Sequence, residues 1–280
     1  MLRARVISGL SIGAALLAAT LVLPGPGALA IVLGLGVLGL REFFALLGAA
    51  RVPSFRALGL LAGAAMILAA WATATGVAIA RVDLEILTLA LCLGAVFIRP
   101  IFVRGNACPP EAVGGTLTGL FFVAFPLTFL VRILMAWGPM TGRWPLFFMI
   151  AVVKMSDTGA YLVGRAFGRR RLVPRISPAK TWEGLAGGLL TAVGVSVAVR
   201  FLAGGRVGPM VLGTGDALVL AGLLTLSGLL GDLSESVLKR AAGAKDSSTL
   251  IAGMGGLLDV LDSLLPSAPL FYFYVLLRGI

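Results

Sequence analysis

The feature that most constrains this chain is a succession of apolar runs, each about the length of a membrane helix and separated by short polar stretches. A bilayer core of roughly 30 Å takes about 20 apolar residues in helical form, and backbone in lipid must satisfy its own hydrogen bonds. Nine such runs can be counted, at 6–23, 27–48, 57–80, 84–99, 113–135, 145–164, 184–203, 213–231 and 249–277. Lys154 and Asp157 interrupt the sixth, and a glycine-rich stretch followed by Asp259 and Asp262 opens the ninth. With 59% hydrophobic residues, 12% charged ones and a mean hydropathy of +1.05, no soluble domain could hide the apolar surface. The expected class is an all-α polytopic membrane protein with about nine transmembrane helices. Residues 1–140 are expected to be a scaffold of transmembrane helices and 141–280 a catalytic transmembrane half with a polar site facing the cytoplasm.

Orientation follows from the cations. If the N-terminus lies in the cytoplasm, the inside segments collect Arg3, Arg5, Arg51, Arg56, Arg99, Arg104, Arg165, Arg169, Arg170, Arg171, Arg175, Lys180, Lys239, Arg240 and Lys245. The outside segments keep Arg81, Arg132, Arg143, Arg206 and Arg278, fifteen cations against five. That bias predicts a cytoplasmic N-terminus. Arg3 and Arg5 before an apolar run could announce a cleaved leader, but the run is longer than a leader core and Pro24 and Pro26 read as a loop, so a first span is expected. Much of the +11 net charge is then topology and attraction to anionic head groups, and gives no argument for nucleic acid.

Histidine is absent, so any chemistry runs on carboxylates, hydroxyls, cations and backbone. Cys92 and Cys108 cannot build a zinc site and read as structural. An Asp at the centre of a membrane helix costs about 2.5 to 3.5 kcal/mol, so the placement of the twelve acids is informative. Five fall between 232 and 262: Asp232, Glu235, Asp246, Asp259 and Asp262, interleaved with Lys239, Arg240 and Lys245. Asp232, Ser236 and Lys239 follow i, i+4, i+7 and share one helix face; Asp259 and Asp262 are i and i+3. Between them, Gly253, Gly255 and Gly256 can bring backbone close to a ligand and offer N–H groups to an anion.

A second polar island runs from Lys154 to Glu183, opening inside a span with Lys154, Ser156, Asp157 and Thr158. Ser177 followed by Pro178 has the order of an N-cap and first helical residue, which predicts a helix starting there that carries Lys180, Thr181 and Glu183. Its free N–H groups beside Lys180 would bind an anion. Gly164 and Gly168 form a small-xxx-small pair suited to helix packing.

Together the two islands resemble a known family. SVLKRAAGAKDSSTLIAGMGGLLDVLD, Ser236 to Asp262, is similar to the C-terminal signature of the phosphatidate cytidylyltransferases, or CDP-diacylglycerol synthases: a serine, a Lys-Arg pair, a Lys-Asp pair, a glycine turn and two aspartates three apart. SDTGAYLVGRAFGRRRLVPRISPAKTWEG, Ser156 to Gly184, is similar to the family's other motif, from its Asp-Thr-x-Ala-Tyr start to its Ser-Pro-x-Lys-Thr-x-Glu-Gly end. The chain departs from the pattern at Met254, where the family usually has histidine, at Val260, where it usually has arginine, and at Ala252, usually Pro, Gly or Ser.

The resemblance implies transfer of a cytidylyl group from CTP to phosphatidate, giving CDP-diacylglycerol and pyrophosphate. Such a nucleophile is a phosphate monoester with a second pKa near about 6, already ionised at neutral pH, so a histidine-free protein can run the reaction. It needs charge neutralisation and in-line placement, which metal and Lys/Arg supply. Asp232 and Asp259 are the expected main Mg²⁺ ligands, with Asp262 and Asp246 as further candidates and room for a second cation. Lys239, Arg240 and Lys245, with Asp246, form the expected catalytic set. Ser177, Lys180, Thr181, Glu183, Ser236, Gly255, Gly256 and Asp157 are expected to bind substrate. The expected partners are CTP, phosphatidate and membrane lipids, with no nucleic acid. Assembly as a homodimer is left open, and so is another lipid phosphate as acceptor. A transporter would instead spread its charges over several spans and repeat them between halves. The expected location is the bacterial cytoplasmic membrane.

Overall fold

A computed structural model of the chain describes residues 25–77, 83–103, 109–138, 141–244, 246–248 and 255–280. The expected first span at 6–23, together with Cys108, Lys245, Ala252 and Met254, lies outside the described residues. The chain is an integral membrane protein: among the described residues, eight spans are long and apolar enough to cross a membrane, and they match the second to ninth expected runs.

The first spans are α1 (Gly25–Ala49), α2 (Arg56–Ala74) and α3 (Leu84–Ile98), the last extended by a 3₁₀ turn at Arg99–Phe102. The next is built from α4 (Pro109–Gly119), a π-helical turn at Leu120–Ala124 and α5 (Phe125–Met135). The remaining four are α6 (Arg143–Phe167), α7 (Trp182–Leu202), α8 (Thr214–Ala241) and the pair α9 (Leu258–Leu261) with α10 (Leu264–Arg278).

Several boundaries differ from expectation for identifiable reasons. α2 stops at Ala74 rather than 80 because Gly76 adopts a left-handed backbone, φ 79°, that ends the helix. α8 runs past 231 to Ala241 and so carries Asp232, Glu235, Ser236 and Lys239 on its last turns. α6 is unbroken through Lys154 and Asp157.

Two short hairpins connect helices of this all-α architecture. β1 (Arg171–Val173) pairs antiparallel with β2 (Ser177–Thr181), Arg171 opposite Thr181, and β3 (Arg206–Val207) pairs with β4 (Met210–Val211). The Ser177-Pro178 helix start is therefore corrected: those residues are extended, and α7 begins at Trp182 with Thr181 as its N-cap. Thr181 has an extended backbone, φ −131° and ψ 156°, and its hydroxyl accepts from Gly184 N at 3.0 Å. Packing fixes this choice, because a Cβ on Gly168, just past the end of α6, would lie 2.9 Å from the Thr181 Oγ1. Pairing with β1 then holds Ser177 to Thr181 extended.

α6 and α7 pack closely through glycines on both helices. A Cβ on Gly184 would meet the Ala160 carbonyl at 2.8 Å, one on Gly188 would meet the Ser156 carbonyl at 2.9 Å, and one on Gly187 would run into Val163. The span of α4 and α5 is the most buried, and Phe129 stacks there against Tyr272 and Phe273 of α10, joining the two halves of the chain. One end of the bundle is tied by ion pairs. Asp216 accepts from Tyr274 Oη at 2.8 Å and Arg278 Nε at 2.9 Å, and Arg132 pairs with Glu85. The polar islands gather at the other end, where α6 and α8 finish and α7 and α10 begin.

Candidate active site

The last two turns of α8 and the break between α9 and α10 build the site. Gly231 permits their approach: a Cβ there would collide with the Asp262 carbonyl and lie 2.8 Å from the Pro266 ring. The break is pinned from α6, where Lys154 Nζ donates to the Val260 carbonyl at 2.7 Å and to Ser263 Oγ at 2.9 Å. Lys154 lies 3.8 Å from Asp157, so its closer partners belong to α9 and the turn that follows.

This geometry brings three carboxylates together. Asp232, Glu235 and Asp262 each offer an oxygen, and the three oxygens lie within 4.8 Å of one another. Glu235 is fully buried and Asp262 is 7% exposed. Ionised carboxylates at such spacing repel one another unless a cation lies among them. Among the described residues one acceptor, Glu235 Oε1, is buried with no hydrogen-bond partner, and such orphans are rare because desolvation without a partner costs about 1 to 3 kcal/mol. An all-oxygen set with an orphaned acceptor fits a hard divalent cation such as Mg²⁺.

Lysines surround this trio. Lys239 Nζ reaches Glu235 Oε2 at 2.9 Å and Asp259 Oδ1 at 2.5 Å, bridging the trio to the neighbouring loop. Lys180, on strand β2, pairs with Asp232 Oδ2 at 2.5 Å. Arg240 is exposed in the final turn of α8.

Asp259 stands outside the trio. Besides Lys239, it accepts from Ser247 N at 2.9 Å, Ser247 Oγ at 2.7 Å and Gly256 N at 2.7 Å. The structure thus groups Asp232 with Asp262 and Glu235, whereas Asp232 and Asp259 were the expected main ligands, Asp262 a further candidate, and Glu235 not among them. Asp246 is exposed, its Cβ beside Gly255, which has a left-handed backbone at φ 96°. The Gly256 N–H is committed to Asp259, so it is not a free donor for an anion.

The β1–β2 hairpin holds the other candidates. Glu183 accepts from Arg169 N at 3.1 Å and Arg170 N at 3.2 Å and so closes the base of the hairpin, while Arg171 donates to the Pro178 carbonyl at 2.5 Å. Thr181 is spent on capping α7. Ser177 begins β2, at the far end of that strand from the cap. Asp157 is exposed on α6, and Ser236 is buried on α8 one turn beyond Asp232.

Two residues escaped the sequence reading of the site. Glu235 was legible, since it stands i+3 from Asp232 and so shares its helix face. Glu42 was not. It comes from α1, is 6% exposed, and accepts from Ser247 Oγ at 3.2 Å, Ser248 Oγ at 2.7 Å, Leu257 N at 3.0 Å and Leu258 N at 2.8 Å. Its one signal was the cost of a carboxylate in an apolar run.

Known proteins share this arrangement of sequence. The chain is 44% identical over 142 residues to a phosphatidate cytidylyltransferase of Haemophilus influenzae, covering 49% of this chain and 49% of that one. It is 41% identical over 134 residues to a phosphatidate cytidylyltransferase of Pseudomonas aeruginosa, covering 46% and 48%. An uncharacterized protein of Escherichia coli, YnbB, is 41% identical over 130 residues, covering 46% and 41%. The chain spans about half the length of the curated relatives it matches. The profile of the cytidylyltransferase family matches residues 3–278, nearly the whole sequence, and the chain therefore belongs to the cytidylyltransferase family.

Proposed function

We propose that the chain transfers a cytidylyl group from CTP to phosphatidate at the cytoplasmic face of a bacterial inner membrane, giving CDP-diacylglycerol and pyrophosphate. The observation that carries this reading is the carboxylate trio, buried at Glu235 and Asp262 and half-buried at Asp232, with its orphaned Glu235 oxygen, set among lysines at one end of a membrane bundle. Family membership and the names of the two relatives support the choice of CTP and phosphatidate.

In this reaction a phosphate oxygen of phosphatidate attacks the α-phosphorus of CTP, the bond from that phosphorus to the bridging oxygen breaks, and pyrophosphate leaves. No protein base is required, because the attacking oxygen is already ionised at neutral pH. Asp232, Glu235 and Asp262 would hold Mg²⁺, which when bound neutralises triphosphate charge. Lys239 occupies the Oε2 of Glu235 and leaves Oε1 without a partner among the described residues. Lys180 lies on the exposed hairpin, and when Asp232 serves as a metal ligand the Lys180 ammonium group would be released to a substrate phosphate. Arg240 offers a further cation at the membrane surface. Phosphatidate presents its headgroup at that surface, so its acyl chains stay in the bilayer during reaction. The departure at Val260 is consistent with this division of labour: its side chain is buried and its carbonyl serves Lys154, so cations enter the site from α6, α8 and β2 instead.

The test is product formation by purified protein in lipid nanodiscs with labelled CTP and a panel of phosphatidate, lysophosphatidate and an isoprenoid phosphate. The proposal expects CDP-diacylglycerol from phosphatidate. Incorporation only with another lipid phosphate would reassign the acceptor.

A further inference from the structure

We propose that Glu42, from the N-terminal half of the bundle, is a positioning residue for the reaction: its carboxylate ties the neck of the 247–258 loop and thereby sets the height of Asp259 and Asp262 against α8. The inference rests on the reaction proposed above for its kinetic consequence, and on geometry alone for the tie itself.

Among the described residues, the four donors to Glu42 come from the two ends of this loop. Ser247 and Ser248 enter it, and Leu257 and Leu258 leave it. The last two are the opening N–H groups of α9, a helix whose own N-cap, Leu257, offers no side-chain acceptor. Glu42 therefore caps α9 from more than 200 positions away in sequence, completing what a local Ser or Asp would supply elsewhere. The donors it has among the described residues are neutral hydroxyl and backbone groups, and moving any of them leaves a buried acceptor unsatisfied in an apolar bundle.

The consequences reach the site through short links. Ser247 Oγ contacts both Glu42 and Asp259, so the neck carboxylates share a hydroxyl. Asp259 in turn holds Lys239, which holds Glu235 of the trio. Asp262 lies one turn beyond Leu258, its N–H bonded to the Leu258 carbonyl at 2.9 Å. Gly256 is demanded by the same tie, because a Cβ there would collide with Ser247 Oγ and the Glu42 carboxylate. Thus a glycine of the signature is explained by a residue outside it.

The experiment compares Glu42→Gln with Asp216→Asn in nanodiscs. Asp216 is an equally buried and hydrogen-bonded carboxylate at the opposite end of the bundle, so it reports purely structural loss. Three readouts are taken: kcat and Mg²⁺ midpoint corrected for folded fraction, Mn²⁺ affinity without substrate, and amide exchange of residues 255–262. For Glu42→Gln the expected results are a loss of about 10- to 100-fold in kcat or metal affinity, as for residues that orient metal ligands, and faster exchange in 255–262. Asp216→Asn should lower the melting temperature and leave all three unchanged. Glu42→Gln protein that keeps wild-type values per folded molecule overturns the proposal, as does an equal effect of Asp216→Asn. If the wild type makes no product from CTP and phosphatidate, the reaction is wrong, and the exchange and Mn²⁺ readouts still decide the role of Glu42.

Discussion

Lys239 carries two charges' worth of work: its ammonium group separates Glu235 from Asp259 at 2.9 and 2.5 Å. Replacing it by methionine keeps the apolar stem and removes the charge, leaving two carboxylates facing each other with little water. Removing one partner of a buried pair costs about 3 to 5 kcal/mol, so Lys239→Met should melt well below wild type in detergent, measured by tryptophan fluorescence. A melting point within a degree of wild type would deny the bridge its role. Glu235→Gln makes the opposite kind of change, since it retains shape and removes a ligand charge. It is expected to lower Mg²⁺-dependent turnover by more than the roughly 10- to 100-fold typical of groups behind the ligands, whereas Asp259→Asn should act mainly through Lys239 and the loop. Equal Mn²⁺ affinity in Glu235→Gln and wild type, read by electron paramagnetic resonance, would remove Glu235 from the ligand set. At this scale the sequence was half legible. Helical spacing alone ties Glu235 to Asp232, but nothing local could announce Glu42, whose donors lie more than 200 positions away.

Among elements, the junction of β2 and α7 decides where Lys180 sits. Ser177-Pro178 and Thr181 are both credible helix starts by local rules, and tertiary packing of Thr181 beneath the end of α6 selects the second. Thr181→Ala should cost about 1 kcal/mol of stability through the lost cap, while Ser177→Ala leaves the melting temperature unchanged; a reversed order would restore the earlier start. α8 makes a second case. Its apolar run ends at 231, yet the helix continues to Ala241 because its polar turns find partners in α9 and β2. Gly231→Ala should separate α8 from the α9–α10 break, costing about 1 to 3 kcal/mol as overpacking does and opening the carboxylate trio. Hydropathy therefore located the spans but underestimated this helix, because the residues that extend it are satisfied by contacts that no window along the chain can register.

For the whole molecule, eight of the nine expected spans, those within the described residues, were legible because lipid imposes length and apolarity on every helix that crosses it. How the halves meet was not. The first half looked like scaffold, but α5 stacks on α10 through Phe129, and α1 delivers Glu42 to the signature loop. The absence of histidine fits a reaction between two ionised substrates, provided a metal offsets their charge. CDP-diacylglycerol formation from CTP and phosphatidate by purified protein, measured with Mg²⁺, with EDTA and with Mg²⁺ restored, tests this metal requirement. Turnover with Mg²⁺, loss with EDTA and recovery on re-addition are expected; turnover that persists in EDTA would show that no metal offsets the charge.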